Sequence, residues 1–195
     1  MNATINLENK HFPVLLKELI SIISPLYGGT FIDCTFGQGG YSEKILESKE
    51  NNIIALDRDK DVLSNTSKFY KKYNKRFEFY NLKFSQIDQI KFKKHKIKGI
   101  IFDLGFSLSQ IKNPQKGLSF SDKGKLNMKM GINDFSANDV ISNMDEKNLT
   151  KVFKVFGDEK YSKKIAREIV IKRKDKALKT EDLVEIIDNV KKYQK

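Results

Sequence analysis

Four short runs typical of β-strands constrain the fold of this chain more than any other feature. Three of them are apolar and contain an aspartate: TFIDCTF (30–36), NIIALDRD (52–59) and GIIFDLG (99–105). The other, RFEFYNL (76–82), alternates apolar and polar residues. Strand and helix patterns alternate through this region. Parallel neighbours need a crossover connection, so this order predicts βαβ units, an α/β fold and a parallel sheet over residues 1–105.

One helical pattern precedes these strands and two connect them. The first, PVLLKELISIIS (13–24), has apolar residues at helical spacing with Pro13 in its first turn. Two more are predicted over residues 42–50, where Ser42 is a plausible cap, and 60–73.

The chain changes character after residue 105. Four helical patterns follow with no clear strand among them, over 135–144, 145–156, 158–173 and 180–192. Ser136 and Asp139 have the spacing of a capping box at the start of the first. We therefore predict a second, all-helical part over residues 106–195.

The candidate ligand site lies where the strands end. Asp33, Asp57 and Asp103 occupy such ends, and a glycine-rich loop, GQGG (37–40), follows the first strand. Ligands of open parallel sheets bind at the carboxyl ends of the strands. A loop without side chains lets a nucleotide or adenosyl ligand approach the backbone, and a carboxylate such as Asp57 can accept hydrogen bonds from ribose hydroxyls.

The loop departs from two common nucleotide motifs. Its pattern is G-x-G-G-x-S, which lacks the third glycine of the dinucleotide fingerprint, and the lysine of a phosphate-binding loop is absent. Nucleoside triphosphate hydrolysis is therefore disfavoured. The alternative interpretation is that these residues form a tight turn with solvated acids nearby and no ligand site.

The positive charge of the chain lies in its second half. The net charge is +12; residues 1–90 carry 12 Lys and Arg against 11 Asp and Glu, whereas residues 91–195 carry 25 against 14. Such a surface favours a polyanion, because phosphate contacts release counterions. Lysine accounts for 33 of the 37 cations, so nucleotide bias in the gene is the other explanation.

Several classes of site are not expected. Cys34 is the single cysteine, which argues against an internal disulfide and a multi-cysteine metal site and favours a packed strand residue. His11 and His95 are far apart, so no metal is expected. No apolar run approaches the ~20 residues of a membrane span, and no leader peptide is recognisable, which predicts a cytoplasmic protein.

Seven segments carry a resemblance to a known family. They are HFPVLLKE, DCTFGQGGYS, ALDRD, FDLGFSLSQI, GLSF, LNMKM and FGDEKYSKKIAREIVIKR, within about residues 11–187. Their order and spacing resemble the RsmH (MraW) family, S-adenosylmethionine-dependent methyltransferases that modify N4 of a cytidine in the decoding centre of 16S ribosomal RNA. The resemblance implies a Rossmann-like class I methyltransferase sheet with a helical insertion.

The resemblance also implies the site residues. Gly39, Gly40 and Tyr41 would line the methionine part of S-adenosylmethionine, and Asp33 would anchor the loop or the cofactor's amino group. The full cofactor-binding set implied is Asp33, Gly37, Gly39, Gly40, Tyr41, Asp57 for the ribose, Phe84 near the adenine, and Asp103 and Gln110 closing the site. Residues 106–195 would contact 16S ribosomal RNA in the small ribosomal subunit.

Asp103 is the predicted catalytic residue. Methyl transfer needs a nucleophile held in line about 3 Å from the methyl group. Cytosine N4 is a poor nucleophile because its lone pair is delocalised into the ring. An acceptor for its N–H groups, either Asp103 or the carbonyls of Leu104 and Gly105, would favour the transition state.

Several residues depart from the family pattern. Tyr41 replaces the usual histidine, Phe106 and Leu108 replace smaller residues, and Asn127 and Lys129 replace aspartate and arginine, which weakens any ion pair there. The family's later helix and strands have no counterpart before Lys195, so we expect a truncated or split family member.

The predicted fourth strand also indicates, on physical grounds, that part of the sheet is missing. GIIF (99–102) is apolar on both faces, as in a strand with neighbours on both sides, yet no fifth strand is recognisable. We expect an exposed edge there, covered by a partner chain or by self-association. Two other hypotheses remain: a non-catalytic RNA- or ribosome-binding remnant, and a nucleotide-dependent oxidoreductase, which the missing glycine disfavours.

Overall fold

A computed structural model describes residues 13–23, 27–92, 96–121, 126–132 and 134–192. His11 and His95 lie outside the described residues. The chain divides into two compact units, Met1–Gly105 and Phe106–Lys195.

The first unit is built on a four-stranded parallel sheet. Its elements, in chain order, are α1 (Leu16–Ile23), β1 (Gly29–Asp33), α2 (Gly40–Leu46), β2 (Asn51–Leu56), α3 (Leu63–Tyr73), β3 (Phe77–Tyr80) and β4 (Ile97–Ile101). The strands lie in the order β3-β2-β1-β4, and all three pairings are parallel. The predicted α/β, Rossmann-like fold is confirmed.

Side chains alternate between the two faces of this sheet. Phe31 and Ile53 pack on one face in a core with residues of α1, α2 and α3. Ile32 and Ile54 pack on the other, where Ile87 and Ile90 of the β3–β4 connection contribute. The period of two along each strand produces this arrangement and explains why the central strands are apolar throughout.

Several element boundaries differ from the prediction. Strand β1 ends at Asp33, because the Asp33 carboxylate accepts the Thr35 N–H at 3.2 Å and turns the chain out of the sheet. Helix α1 begins at Leu16 rather than at Pro13, since Leu15 adopts a left-handed φ of 51°. The β3–β4 crossover contains a 3₁₀ helix, Phe84–Gln89, where no helical pattern was identified in the sequence.

The predicted cap of α2 was wrong. The helix begins at Gly40 with Gly39 as its N-cap, and no side chain caps it. Ser42 lies inside the helix, fully buried, and its hydroxyl donates to Asp33. A serine near a helix start predicts a cap locally, but here a distant buried acceptor takes its hydrogen bond.

The second unit is helical, and the part that is described contains no strand. Its helices are α4 (Leu108–Ile111), α5 (Ala137–Asn143), α6 (Glu146–Val155), α7 (Ser162–Lys172) and α8 (Thr180–Lys192). Ile141, Leu149, Ile165 and Ile186 form its core with their apolar neighbours. The predicted capping box at the start of α5 is present.

Strand β4 is an edge strand, as predicted. Within the described residues it pairs with β1 alone, and Ile100 is 48% exposed. The predicted packing of Cys34 is confirmed, since this thiol is buried and burial raises its pKa to about 11, but the residue directly follows β1 and is not part of the strand.

Candidate functional site

Three aspartates gather at the carboxyl edge of the sheet. Asp33 is the last residue of β1, Asp57 follows β2 directly, and Asp103 lies two residues beyond β4. Parallel neighbours end at the same edge, which brings these side chains together. Burial raises the pKa of Asp33, and the charges of Asp57 and Asp103 add to this effect.

Asp33 is the buried anchor of the glycine loop. Its carboxylate has no exposed surface, accepts the Ser42 hydroxyl at 2.7 Å and accepts the Thr35 N–H at 3.2 Å. Burial raises its pKa to about 6. Of the two roles predicted for Asp33, the structure contains the anchoring one; contact with a cofactor's amino group stays a prediction.

Asp57 connects the glycine loop to β2. Its two carboxylate oxygens accept the Gly37 N–H and the Asp59 N–H, each at 2.8 Å. The side chain is half-buried, and burial raises its pKa. Each carboxylate oxygen has a further lone pair, so Asp57 retains acceptor capacity for a ligand.

The three loop glycines differ in what surrounds them. Gly39 has a φ of 80°, and a Cβ there would overlap the rings of Phe69 and Phe36. A Cβ on Gly40 would overlap Pro13. Packing within the protein therefore requires both residues to lack a side chain.

Gly37 faces open space. It has a φ of 53°, and the nearest atom to an added Cβ is the Thr35 carbonyl oxygen at 3.8 Å. The backbone is nevertheless fixed, because the Gly37 N–H donates to Asp57 and the Gly37 carbonyl accepts from Asn65 at 3.2 Å. Among the three glycines, Gly37 is the one where a ligand can approach without displacing a protein side chain.

Tyr41 lies against Asp103. The buried Tyr41 hydroxyl donates to the Val14 carbonyl at 2.7 Å and lies 3.3 Å from Asp103 Oδ2. Burial raises the Tyr41 pKa to about 12, so the hydroxyl remains a donor at neutral pH. The Asp103 N–H donates to the Thr35 hydroxyl at 2.8 Å, which fixes the backbone of this acid.

An aromatic pair stands beside the aspartates in the first unit. Phe84 and Phe102 meet edge to face with ring centroids 5.6 Å apart, and both rings are exposed. The β3–β4 connection thus brings Phe84 to the residue that follows β4. The pair offers an aromatic surface on which a planar ring can stack.

Gln110 lies in the second unit, on α4. Its Oε1 accepts the Ser107 N–H at 3.0 Å, and its own N–H donates to the Ser107 hydroxyl at 3.2 Å. In the structure this side chain closes a local capping arrangement. Its predicted role at the cofactor site stays a prediction.

Sequence reasoning missed three site residues. Thr35 holds the Asp103 backbone, Asn65 holds the Gly37 carbonyl, and Phe102 packs on Phe84. Thr35 follows an acid by two residues, which is a turn signal, but its contact with Asp103 spans 68 positions and has no local signature.

The described residues contain neither a candidate metal centre nor a candidate membrane span. No group of three or more histidine, cysteine, aspartate and glutamate side chains there is arranged to hold a metal ion. No helix in the same part of the chain is long and apolar enough to cross a lipid bilayer.

The chain is similar to curated proteins named ribosomal RNA small subunit methyltransferase H. It is 38% identical to that of Orientia tsutsugamushi (strain Ikeda) over 174 residues, which cover 89% of this chain and 56% of the relative. The Rickettsia massiliae protein is 39% identical, and the match covers 91% of this chain and 58% of the relative. The Zymomonas mobilis protein is 40% identical, and the match covers 84% of this chain and 50% of the relative. The chain thus spans about half the length of these relatives.

The model of the MraW methylase family matches residues 8–195. That match covers both units and every site residue discussed above. The chain therefore belongs to the MraW methylase family.

Proposed function

We propose that this chain is an S-adenosylmethionine-dependent methyltransferase that modifies N4 of a cytidine in the decoding centre of 16S ribosomal RNA. Family membership and the names of the relatives support methyl transfer to small-subunit ribosomal RNA. The observation that carries the proposal is the Gly37–Asp57 hydrogen bond, which places open glycine backbone beside a half-buried carboxylate with free acceptor capacity.

The residues at the carboxyl edge fit S-adenosylmethionine. Asp57 can accept from the two ribose hydroxyls, and Phe84 offers a face for the adenine. The negative charge of the aspartates favours a ligand with an ammonium and a sulfonium group. Once bound, the cofactor supplies an electrophilic methyl group. Gly39, Gly40 and Tyr41 support the loop through their packing. Asp33 anchors it through its hydrogen bonds to Thr35 and Ser42.

Asp103 is the proposed catalytic residue. Its carboxylate is half-buried at the strand edge, and its backbone is fixed by Thr35. There it can accept an N–H of the target amine, which concentrates electron density on nitrogen and lowers the barrier to methyl transfer. The contact with the Tyr41 hydroxyl orients the carboxylate, so Tyr41 is a positioning residue.

The second unit is the proposed contact to ribosomal RNA. Residues 106–195 carry 20 Lys and Arg against 13 Asp and Glu. Cationic side chains bind phosphates through counterion release. Because small ribosomal subunits are cytoplasmic, we place the protein in the cytoplasm. We further propose that another protein chain or a second copy covers the β4 edge.

Methyl incorporation tests the proposal directly. The full chain is incubated with small ribosomal subunits that lack the modification and with radiolabelled S-adenosylmethionine, and the RNA is digested and analysed for N4-methylcytidine. We expect incorporation by the wild type and a loss of about 10²-fold or more for Asp103→Ala. Asp88→Ala, an exposed acid of the same unit, is the matched control.

Two results would contradict the proposal. Methyl incorporation at another base or another atom would refute the proposed target. Absence of incorporation by a folded chain that still binds the subunit would identify the non-catalytic alternative. The oxidoreductase alternative has no support among the relatives.

A further inference from the structure

Thr35 connects the chain after β1 to the chain after β4. The backbone pairing of these two strands extends to the Cys34 N–H, which donates to the Ile101 carbonyl at 2.9 Å. The next bond between the two segments uses a side chain, because the Asp103 N–H donates to the Thr35 hydroxyl at 2.8 Å. The Thr35 side chain thus extends the pairing as far as the proposed catalytic residue.

The backbone of Thr35 is itself fixed. Its N–H donates to the buried carboxylate of Asp33 at 3.2 Å. The residues on either side, Cys34 and Phe36, are buried, and the Phe36 N–H donates to the Leu56 carbonyl at the end of β2 at 3.0 Å. A β-branched side chain is also stiff at χ1. The hydroxyl therefore projects from backbone that is bonded to both neighbouring strands.

The segment that carries Asp103 has little packing of its own. Strand β4 ends at Ile101, and among the described strands it pairs with β1 alone. The neighbours of Asp103, Phe102 and Leu104, are 50% and 71% exposed. Because few buried contacts hold this segment, its hydrogen bonds to the chain after β1 decide where the Asp103 backbone lies.

The other described contact of Asp103 is longer. The Tyr41 hydroxyl lies 3.3 Å from Asp103 Oδ2 and donates to the Val14 carbonyl at 2.7 Å. A phenol has one proton, so the bond to Val14 competes with the contact to Asp103. Tyr41 orients the carboxylate, whereas Thr35 fixes the backbone from which that carboxylate extends.

We propose that Thr35 is a positioning residue for methyl transfer, whose hydroxyl holds the Asp103 backbone so that the carboxylate reaches the target amine. The inference rests on the proposed function, in which Asp103 accepts an N–H of that amine. In the reaction the amine nitrogen bonds the methyl carbon as the carbon–sulfur bond breaks. Sulfur keeps the electron pair, and the surplus proton on nitrogen passes to the Asp103 carboxylate.

Two substitutions separate the hydroxyl of Thr35 from the shape of its side chain. Thr35→Val keeps the branched shape and removes the acceptor, whereas Thr35→Ser keeps the acceptor and removes a methyl group. Methyl incorporation into small ribosomal subunits is followed in a single turnover at saturating S-adenosylmethionine, so that the rate reports the chemical step. We expect Thr35→Val to lower this rate about 10- to 100-fold and Thr35→Ser to stay within about 3-fold of wild type.

Cofactor binding and a matched variant test whether the loss is confined to positioning. Thr35→Val leaves Gly37 and Asp57 in place, so its dissociation constant for S-adenosylmethionine, measured by calorimetry, should rise less than about 5-fold. Thr66→Val also removes a threonine hydroxyl of the first unit, one that donates to the Leu63 carbonyl at 2.9 Å within α3. This control should transfer the methyl group at the wild-type rate.

The hydrogen bond is also observable without catalysis. Exchange of the Asp103 amide hydrogen, followed by NMR, should be about 10-fold faster or more in Thr35→Val than in wild type. Thr35→Ser should keep the wild-type protection. Equal exchange in wild type and Thr35→Val would show that the hydroxyl does not hold this residue and would overturn the proposal.

A double-mutant cycle shows whether Thr35 acts through the Asp103 carboxylate. In the Asp103→Ala background this carboxylate is gone, so adding Thr35→Val should lower the residual rate by less than about 2-fold. If Thr35 instead supports the carbonyls of Leu104 and Gly105, the full loss should appear again. That additive result would overturn the proposal.

Failure of the inference is distinguishable from failure of the proposed function. Equal rates of wild type and Thr35→Val, or equal losses in Thr35→Ser and Thr35→Val, would overturn the positioning role and leave the methyltransferase proposal standing. A folded wild type that transfers no methyl group would refute the proposed function, and the positioning role would fall with it.

Discussion

Gly37 and Asp57 are joined by a hydrogen bond of 2.8 Å, in which the glycine N–H donates to the carboxylate 20 residues later. The bond ties the loop after β1 to the end of β2. The acid that we propose as the ribose acceptor thus also shapes the loop beside it. Asp57 therefore has a structural role in addition to the ligand-binding role that we propose for it.

The glycine loop should respond differently at its two positive-φ positions. Gly37→Ala should cost about 1 to 2 kcal/mol of unfolding free energy, because the residue has a left-handed φ but open space around it. Gly39→Ala should cost clearly more, since the added methyl also overlaps Phe69 and Phe36. Urea unfolding of both variants measures the difference; equal costs would mean that packing does not fix Gly39.

The buried carboxyl group of Asp33 should make stability depend on pH. Its native pKa is about 6, against 3.8 for an unperturbed aspartate, so between these values the native state holds more protons than the unfolded state. The free energy of unfolding should then fall as the pH rises from about 4 to about 7, by about 3 kcal/mol for this group. Asp33→Asn, which can still accept from Thr35, should remove this fall.

Urea unfolding at several pH values compares Asp33→Asn with wild type. Ser42→Ala is an informative second variant, because the Ser42 hydroxyl lowers the Asp33 pKa and its loss should move the fall to higher pH. Parallel pH profiles for wild type and Asp33→Asn would show that Asp33 does not titrate in this range.

The Tyr41 hydroxyl should contribute modestly to stability. Tyr41→Phe removes its hydrogen bond to the Val14 carbonyl, which should cost about 1 kcal/mol because Val14 is exposed and water can take the hydroxyl's place. Tyr27→Phe, at an exposed position, is the control. If Tyr41→Phe costs no more unfolding free energy than the control, the Tyr41–Val14 hydrogen bond does not contribute to stability.

The edge strand should promote self-association. Ile100→Lys places a charge on the exposed edge and should shift the chain toward the monomer in velocity sedimentation. Ile171→Lys is a matched control, because Ile171 is 46% exposed in the second unit, close to the 48% of Ile100. A monomeric wild type, or equal effects of the two changes, would contradict self-association through β4.

Local patterns predicted the elements, whereas long-range contacts determined the site. Three apolar runs and one alternating run located the four strands, and Ser136 with Asp139 predicted the α5 cap, because these signals lie within a few residues. The Asp33–Ser42 and Thr35–Asp103 bonds depend on how strand ends meet, which no local pattern encodes. The same holds for Gly39, whose glycine is required by the ring of Phe69, 30 positions away.

Calorimetric titration of the full chain with S-adenosylmethionine tests the central claim most directly. We predict saturable binding by the wild type and by the control Asp88→Ala. Asp57→Ala should bind about 10²-fold more weakly or not at all, because two charge-assisted hydrogen bonds are lost. Circular dichroism of each variant establishes that it is folded. Absence of binding by the folded wild type, or equal affinity of Asp57→Ala, would contradict the proposed cofactor site.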